Sequence, residues 1–325
     1  MLRSHYIPQF ILRTFCEDDK IQYMDLASKT VEARNTRSVF SVKGYYPEQL
    51  EHDLNDKIEK FFAPVHKKII SASNKLTLSA EEMFLLKKFL LVSVLRFDAE
   101  DAFGKQLLEE IDESERIRLF GKFAENIGRV LNCKRREELA ELRFYGASDT
   151  NMSIAAHAMD ITGSYLILVS SKDCGRDFLI PDKGNAWYMG KLAYEKYEIL
   201  QDLIFRYQSS YAAQALSSTT PHDYVVMPLS RNVAAISMSG FYKLLADNSK
   251  YSIDVGSIRE VLGFGNGNVL RPARVSKNRN DVPIDYGFDI KPLCDRDVEF
   301  LNKLLLQNAE SHIAFANKDM LGIEL

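Results

Sequence analysis

Cysteine is scarce in this chain of 325 residues, and the four present, Cys16, Cys133, Cys174 and Cys294, stand far apart with no Cys-x-x-Cys pair. That spacing indicates neither a zinc site nor a disulfide framework, so the thiols read as reduced. Long apolar runs are missing as well. The most apolar stretch, Met83 to Phe97, is broken by Lys87, Lys88 and Arg96 and falls short of the roughly 18 uncharged residues that a membrane span requires. Residues Met1 to Pro8 hold no apolar run of signal-peptide length. The expectation is a cytoplasmic, soluble protein with no membrane partner. An excess of one charge is also lacking: 42 Lys and Arg stand against 45 Asp and Glu. No global field draws such a chain onto nucleic acid, so any polyanionic partner must meet a local patch.

What is present is the composition of a globular protein. With 46% hydrophobic and 27% charged residues, disorder is excluded as the main state. The length allows one large unit or two domains of about 150 residues. No internal repeat or low-complexity segment is visible.

Residues Lys20 to Arg34 alternate as a hairpin, with Ile21, Tyr23 and Val31 flanking Ala27-Ser28-Lys29. From Pro47 the period becomes helical, with Leu50, Leu54, Ile58, Phe61, Val65 and Ile69 predicting a helix to about Ala72. Ser79 and Glu82 form an S-x-x-E capping box ahead of a second long helix from about Ala80 to beyond Gly104. A third helical segment covers Ser114 to Phe144, and a short helix runs through His157. Tyr165 to Val169 and Asp177 to Ile180 read as a hairpin about Lys172-Asp173-Cys174-Gly175. Tyr224 to Met227 and Val233 to Met238 read as a second strand pair around Pro228 to Arg231, after a helical pattern from Lys191 to Gln214. A helix from Asp295 to Ser311 and a short strand at Ile313 to Phe315 follow. Runs of helix and strand without strict alternation argue for an α+β fold, a long-helix block packed on a mainly antiparallel sheet.

The opening His5-Tyr6-Ile7-Pro8-Gln9-Phe10-Ile11-Leu12-Arg13-Thr14-Phe15, with the hairpin Ile21 to Leu26, closely resembles the N-terminal signature of the prokaryotic domain-of-unknown-function family numbered 4238. Leu95-Arg96-Phe97 matches that family's apolar helix end carrying an Arg. Phe178 to Gly184 matches its Phe-Ile-x-Ser-Asp-Asn-Pro turn in part, keeping Asp182 and losing the Ser, Asn and Pro. Val226 to Ser230 and the run from Leu301 through Ala316 are similar to its closing segments. The resemblance implies one family unit over 1–325, with an N-terminal anchor and hairpin at 1–46, a helical part at 47–145 and a mixed part at 146–325. It implies no reaction.

Several residues have the chemistry of a site. Pro8 suits a first helical position, which puts Gln9 and Arg13 four apart on one face with His5 just upstream. In a functional reading His5 is a general base or a donor to substrate, Gln9 a hydrogen-bonding group and Arg13 an anion clamp. Read structurally, the same segment is an anchor whose polar groups satisfy backbone carbonyls. Arg96 ends an apolar run and calls for a carboxylate, with Asp182 expected and Asp98 and Asp101 as local competitors; alternatively it snorkels to solvent. Ile180-Pro181-Asp182 resembles the first half of a metal nuclease site, but no Asp/Glu-x-Lys triplet supplies the second half, and a turn-forming Asp explains the same residues. The segment Val261 to Asn280 holds Arg271, Arg274, Lys277 and Arg279 and no acid. It has the makings of an RNA or DNA contact, while a flexible, solvated connector is the simpler account of the same residues. His157 and Asp160 lack further metal ligands, and His52, His66, His222 and His312 show no ligand spacing. Ser237-Met238-Ser239-Gly240 lacks the first Gly of a nucleophile elbow, and Glu109 to Glu115 reads as a solvated boundary.

The resulting expectation is a nucleic-acid-directed or phosphate-substrate hydrolase, an effector in prokaryotic defence, with His5 and Asp182 catalytic and Gln9, Arg13 and Arg96 binding substrate. The alternative is a non-catalytic recognition or scaffold protein whose polar signature is structural. Cofactor, metal dependence and oligomeric state are left open by the sequence.

Overall fold

The computed structural model describes residues 3–43, 48–96, 124–142, 165–189, 222–238 and 273–325, with single positions at 158, 161, 162, 198, 202 and 206. All that follows concerns these residues. The expected helix through His157, most of 191–214, and the acidic string at 109–115 lie outside them.

The chain opens with β1 (Arg3–His5), which pairs antiparallel with β4 (Ser41–Lys43). Helix α1 (Gln9–Leu12) follows and tightens into a 3₁₀ turn at Arg13–Phe15. Pro8 stands one place before the expected first helical position, and its carbonyl accepts from the N–H groups of Ile11 and Leu12. The expected hairpin is β2 (Ile21–Asp25) with β3 (Val31–Arg34). Its turn is closed by the Asp25 carboxylate, which accepts from the Ser28 N–H at 2.8 Å.

Helix α2 (Glu48–Leu54), a π turn at Asn55–Glu59 and α3 (Lys60–Ser71) make one continuous rod. The wider π turn delays the inward-facing phase. Phe62 therefore takes the buried position that the sequence pattern gives to Phe61, which is 55% exposed. Strand β5 (Lys75–Ser79) runs straight into α4 (Ala80–Leu95). The capping box is formed: Glu82 N–H donates to Ser79 Oγ at 3.2 Å, and Ser79 N–H to Glu82 Oε2 at 2.8 Å. Helix α4 buries residues around most of its circumference, including Leu86, Lys88, Phe89 and Leu91, as a helix sunk in a core does. Helical residues 124–132 and α5 (Arg136–Glu141) occupy the described part of the expected third helical segment, with a break at 133–135.

The remaining strands are β6 (Leu166–Ser170), β7 (Ile180–Pro181), β8 (Ala186–Tyr188), β9 (Tyr224–Ser230), β10 (Val233–Met238), β11 (Arg274–Lys277), β12 (Pro283–Asp289), β13 (Lys291–Pro292) and β14 (His312–Phe315). Helix α6 (Asp295–Asn308) precedes β14. Three sheets carry the order β13-β6-β10-β9-β8, β11-β12-β5 and β3-β2-β14-β7. The pairings are antiparallel except β13 with β6. The fold is thus α+β.

The hairpin expected from 165 to 180 does not form. β6 pairs with β10, while β7 pairs with β14 in a different sheet. The turn at 171–175 passes the chain between sheets: β6, buried along its whole length, pairs with the equally buried β10. The β9–β10 pair forms as expected, but Pro228 and Leu229 lie inside β9 and the turn is Arg231-Asn232. Pro228 stands opposite Ala234, beside the register shift that leaves Leu229 without a partner in β10, and sheets admit proline next to such bulges.

Candidate functional site

The N-terminal signature folds as a clasp. His5 Nε2 lies 3.3 Å from the Arg37 carbonyl and 3.4 Å from Gln9 Nε2. Phe10 wedges among Phe62, His66 and Phe89, with ring centroids 6.1, 5.1 and 6.1 Å away. Arg13 is exposed. Arg96 is 1% exposed and has the carboxylate its burial demands, but that acid is Glu59, not Asp182. Nη2 donates to Glu59 Oε1 at 2.6 Å, and Nη1 donates to the Tyr6 carbonyl at 3.4 Å. Glu59 reaches Arg96 from the π turn, so the ion pair ties α4, the α2–α3 rod and the signature segment together. Asp98 and Asp101 lie outside the described residues.

Asp182 is employed elsewhere. Its carboxylate accepts from the N–H groups of Lys183, Glu310, Ser311 and His312 at 3.0, 3.0, 2.7 and 3.0 Å. The Ser311 hydroxyl donates to it as well, at 2.9 Å. A carboxylate offers about four lone-pair sites, so this one is saturated. It closes the turn after β7 onto the loop before β14, the turn-forming reading rather than the nuclease one. His312, weighed in the sequence only as a metal ligand, stands beside it. His312 Nδ1 lies 2.8 Å from Ser311 Oγ, Nε2 lies 3.4 Å from Asp25 Oδ2, and the ring stacks on Tyr23 at 4.7 Å. Ser311, His312 and Asp25 are the residue types of a nucleophilic triad. The Ser311 hydroxyl is nevertheless turned onto Asp182, and the neighbouring N–H groups that would serve an oxyanion are bonded to the same carboxylate.

The basic stretch has a different fate. Arg271 lies outside the described residues. Arg274 and Lys277 stand on β11, a strand where a connector was expected, and Arg279 is exposed in the turn that follows. That turn and β12 bring Asp281 and Asp289 back against the cations. Lys277 Nζ lies 2.9 Å from Asp281 Oδ1, and Arg274 Nη2 lies 3.3 Å from Asp289 Oδ1. A segment free of acid in sequence is therefore partly neutralised in space.

Beside this hairpin, α4, α5 and the start of β6 enclose a cavity of about 400 Å³. Its apolar wall includes Met83, Phe84, Leu139 and Leu166, and its cations are Lys87, Arg136 and Lys277. Lys87 Nζ donates to the Thr162 carbonyl at 2.9 Å, and Arg136 Nη1 donates to the Tyr286 hydroxyl at 3.1 Å. Asp281 is the one carboxylate among the described lining residues. Lys88, next to Lys87, points the other way: it is buried, and its Nζ donates to the carbonyls of Leu131 and Cys133, both at 2.8 Å. Burial holds its pKa below the usual lysine value. Of the residues singled out in sequence, only Lys277 lines the cavity; His5, Gln9, Arg13, Arg96 and Asp182 do not. The overlooked signal was the lysine pair that interrupts the apolar run of α4.

The model of a family described as protein of unknown function (DUF4238) matches residues 3–319. The chain belongs to this family. No curated protein and no solved structure matches it. In this DUF4238 chain the signature positions His5, Gln9 and Arg96 lie in the N-terminal clasp, and Asp182 locks the turn that supports β14. Among the described residues, no group of three or more His, Cys, Asp or Glu side chains is placed to hold a metal ion, and no helix is long and apolar enough to cross a membrane.

Proposed function

We propose that this DUF4238 chain recognises a phosphate-bearing ligand, a nucleic-acid segment or nucleotide, in the cavity between α4, α5 and the β11–β12 hairpin. The observation that carries this reading is the set of cations Lys87, Arg136 and Lys277 around a largely apolar cavity of about 400 Å³. A pocket of that size with a few convergent polar groups is where a ligand of nucleotide dimensions is held. Arg136 adds specificity, because it donates to the neutral Tyr286 hydroxyl and its fork matches a phosphate in two places. Arg279, exposed in the turn, extends the positive edge along the hairpin, while Arg274 is paired with Asp289.

Hydrolysis by His5 and Asp182 forms no part of this proposal. Neither residue reaches the cavity, and the Asp182 carboxylate is engaged by five donors. The reading is the recognition alternative with a polyanionic partner. Fluorescence anisotropy with labelled RNA and DNA oligomers across a salt series tests it. Arg136→Ala and Lys277→Ala are each expected to weaken binding several-fold. Each is also expected to flatten the log–log salt slope by about 0.7 for every single-strand phosphate that the variant no longer neutralises. Salt-independent binding, or unchanged affinity in both variants, would overturn it.

A further inference from the structure

We infer that the cavity takes one unpaired nucleotide base-first, so that the ligand is single-stranded nucleic acid or its mononucleotide, with duplex rejected. This rests on the phosphate-recognition reading above and goes further, because it comes from how the cavity is layered. Met83, Leu139 and Leu166 are 5%, 1% and 2% exposed and form an apolar floor, whereas Arg136 and Lys277 are exposed and stand at the rim. A bare phosphate satisfies the rim and leaves the floor empty. A ligand with an acidic end and a flat apolar body satisfies both, and a nucleotide is such a body. In a duplex the base faces are stacked away, so a base must first be extruded to reach the floor.

Phe84 supplies the ring against which a base lies. It lines the cavity, and the Lys88 ammonium, fixed by two backbone carbonyls, sits 5.6 Å from its centroid. The ring is thereby held in place before the ligand arrives, which reduces the ordering cost of binding. Tyr165 offers a second partly exposed ring in the same lining. Stacking of this kind tolerates any base, because every base has a π face. Asp281 sharpens the discrimination. Its carboxylate already occupies Lys277 Nζ at 2.9 and 3.0 Å, so a phosphate with nothing else to bind must displace an internal competitor.

The decisive experiment measures binding of an eight-nucleotide single strand, the same backbone carrying abasic sites throughout, a blunt duplex of that sequence, and a free nucleoside monophosphate, on wild type and on Phe84→Leu. Leucine keeps an apolar side chain and removes the π face, and a thermal melt confirms that the variant is folded. The single strand is expected to bind at least about tenfold tighter than the abasic strand or the duplex. Phe84→Leu is expected to abolish that difference while leaving the abasic affinity and its salt slope as they were. Tighter binding of the free monophosphate than of the oligomer identifies the nucleotide as the source and supports base-first insertion. Equal affinity for abasic, duplex and single-stranded forms overturns the inference while the phosphate reading stands. Absence of salt-dependent binding to every probe overturns both.

Discussion

Replacing Asp182 with alanine separates a structural from a chemical role at the position where sequence reasoning placed a catalytic acid. The substitution removes the acceptor of four backbone N–H groups and one hydroxyl. Hydrogen bonds to a charged group contribute about 1.5–3 kcal/mol each in isolation, but these share two oxygens and water will reach some of the orphaned donors. The expected loss of stability is therefore about 3–4 kcal/mol, well below the sum of five independent bonds. That corresponds to a fall in Tm of roughly 5 °C for a chain of this size. Asp182→Asn is expected to lose nearly as much, because its amide turns N–H groups toward N–H donors and leaves one oxygen to accept. Urea denaturation followed by the fluorescence of the single tryptophan, Trp187, gives the measurement. Trp187 exchanges hydrogen bonds with Asn308 at the end of α6 and so reports on the loop that Asp182 holds. A midpoint for Asp182→Ala within about 0.5 kcal/mol of wild type would refute the argument, since surface substitutions away from such features lie in that range.

Arg96→Ala and Glu59→Ala are each expected to cost about 3 kcal/mol, the lower end for a broken buried pair, because Glu59 keeps 22% of its side chain exposed. The double replacement Arg96→Met with Glu59→Leu is expected to cost less than either single change; urea curves that make it the most unstable of the three would contradict this account. His66 carries a pH dependence. Burial lowers its pKa beneath the usual histidine value, while its Nε2 donates to the Leu229 carbonyl at 2.6 Å. The folded state thus resists a proton that the unfolded chain accepts. Stability is full above about pH 6.5 and declines as pH falls toward the depressed folded value, by at most about 1.4 kcal/mol per pH unit. Denaturation midpoints at pH 7.5 and 5.5 should differ in wild type and converge in His66→Gln; an undiminished difference in the variant would assign the effect to other groups.

Local signals were legible where a single segment decides its own structure. The Ser79–Glu82 box, the β2–β3 hairpin and the period of α6 are short-range patterns, and each formed. What the sequence hid was the partner. β6 and the strand after it look like neighbours, yet β6 closes on residues 233–238 and 291–292, a choice made by burial over long separation rather than by the turn. Arg96 announced its need for an acid, but Glu59 lies 37 residues upstream on a π turn that no periodicity predicts. The basic stretch around Lys277 was read without its returning strand, so its neutralising aspartates went unseen. The cavity was hidden for a related reason: Lys87 and Lys88 appear alike in sequence, and only the helix phase sends one to the cavity and the other into the core.

The placement of β14 has a consequence for how the chain is made. β14 lies between β2 and β7, pairing Met24 with Ile313 and Ile313 with Pro181. A ribosome releasing about 5–20 residues per second delivers the stretch from Asp25 to His312 only after tens of seconds. During that interval the inner edge of the N-terminal hairpin has no native neighbour, with its N–H and C=O groups open to any extended segment nearby. Synthesis therefore leaves the first sheet to be completed last, and the nascent chain is most exposed to mispairing at the segment that carries its family signature.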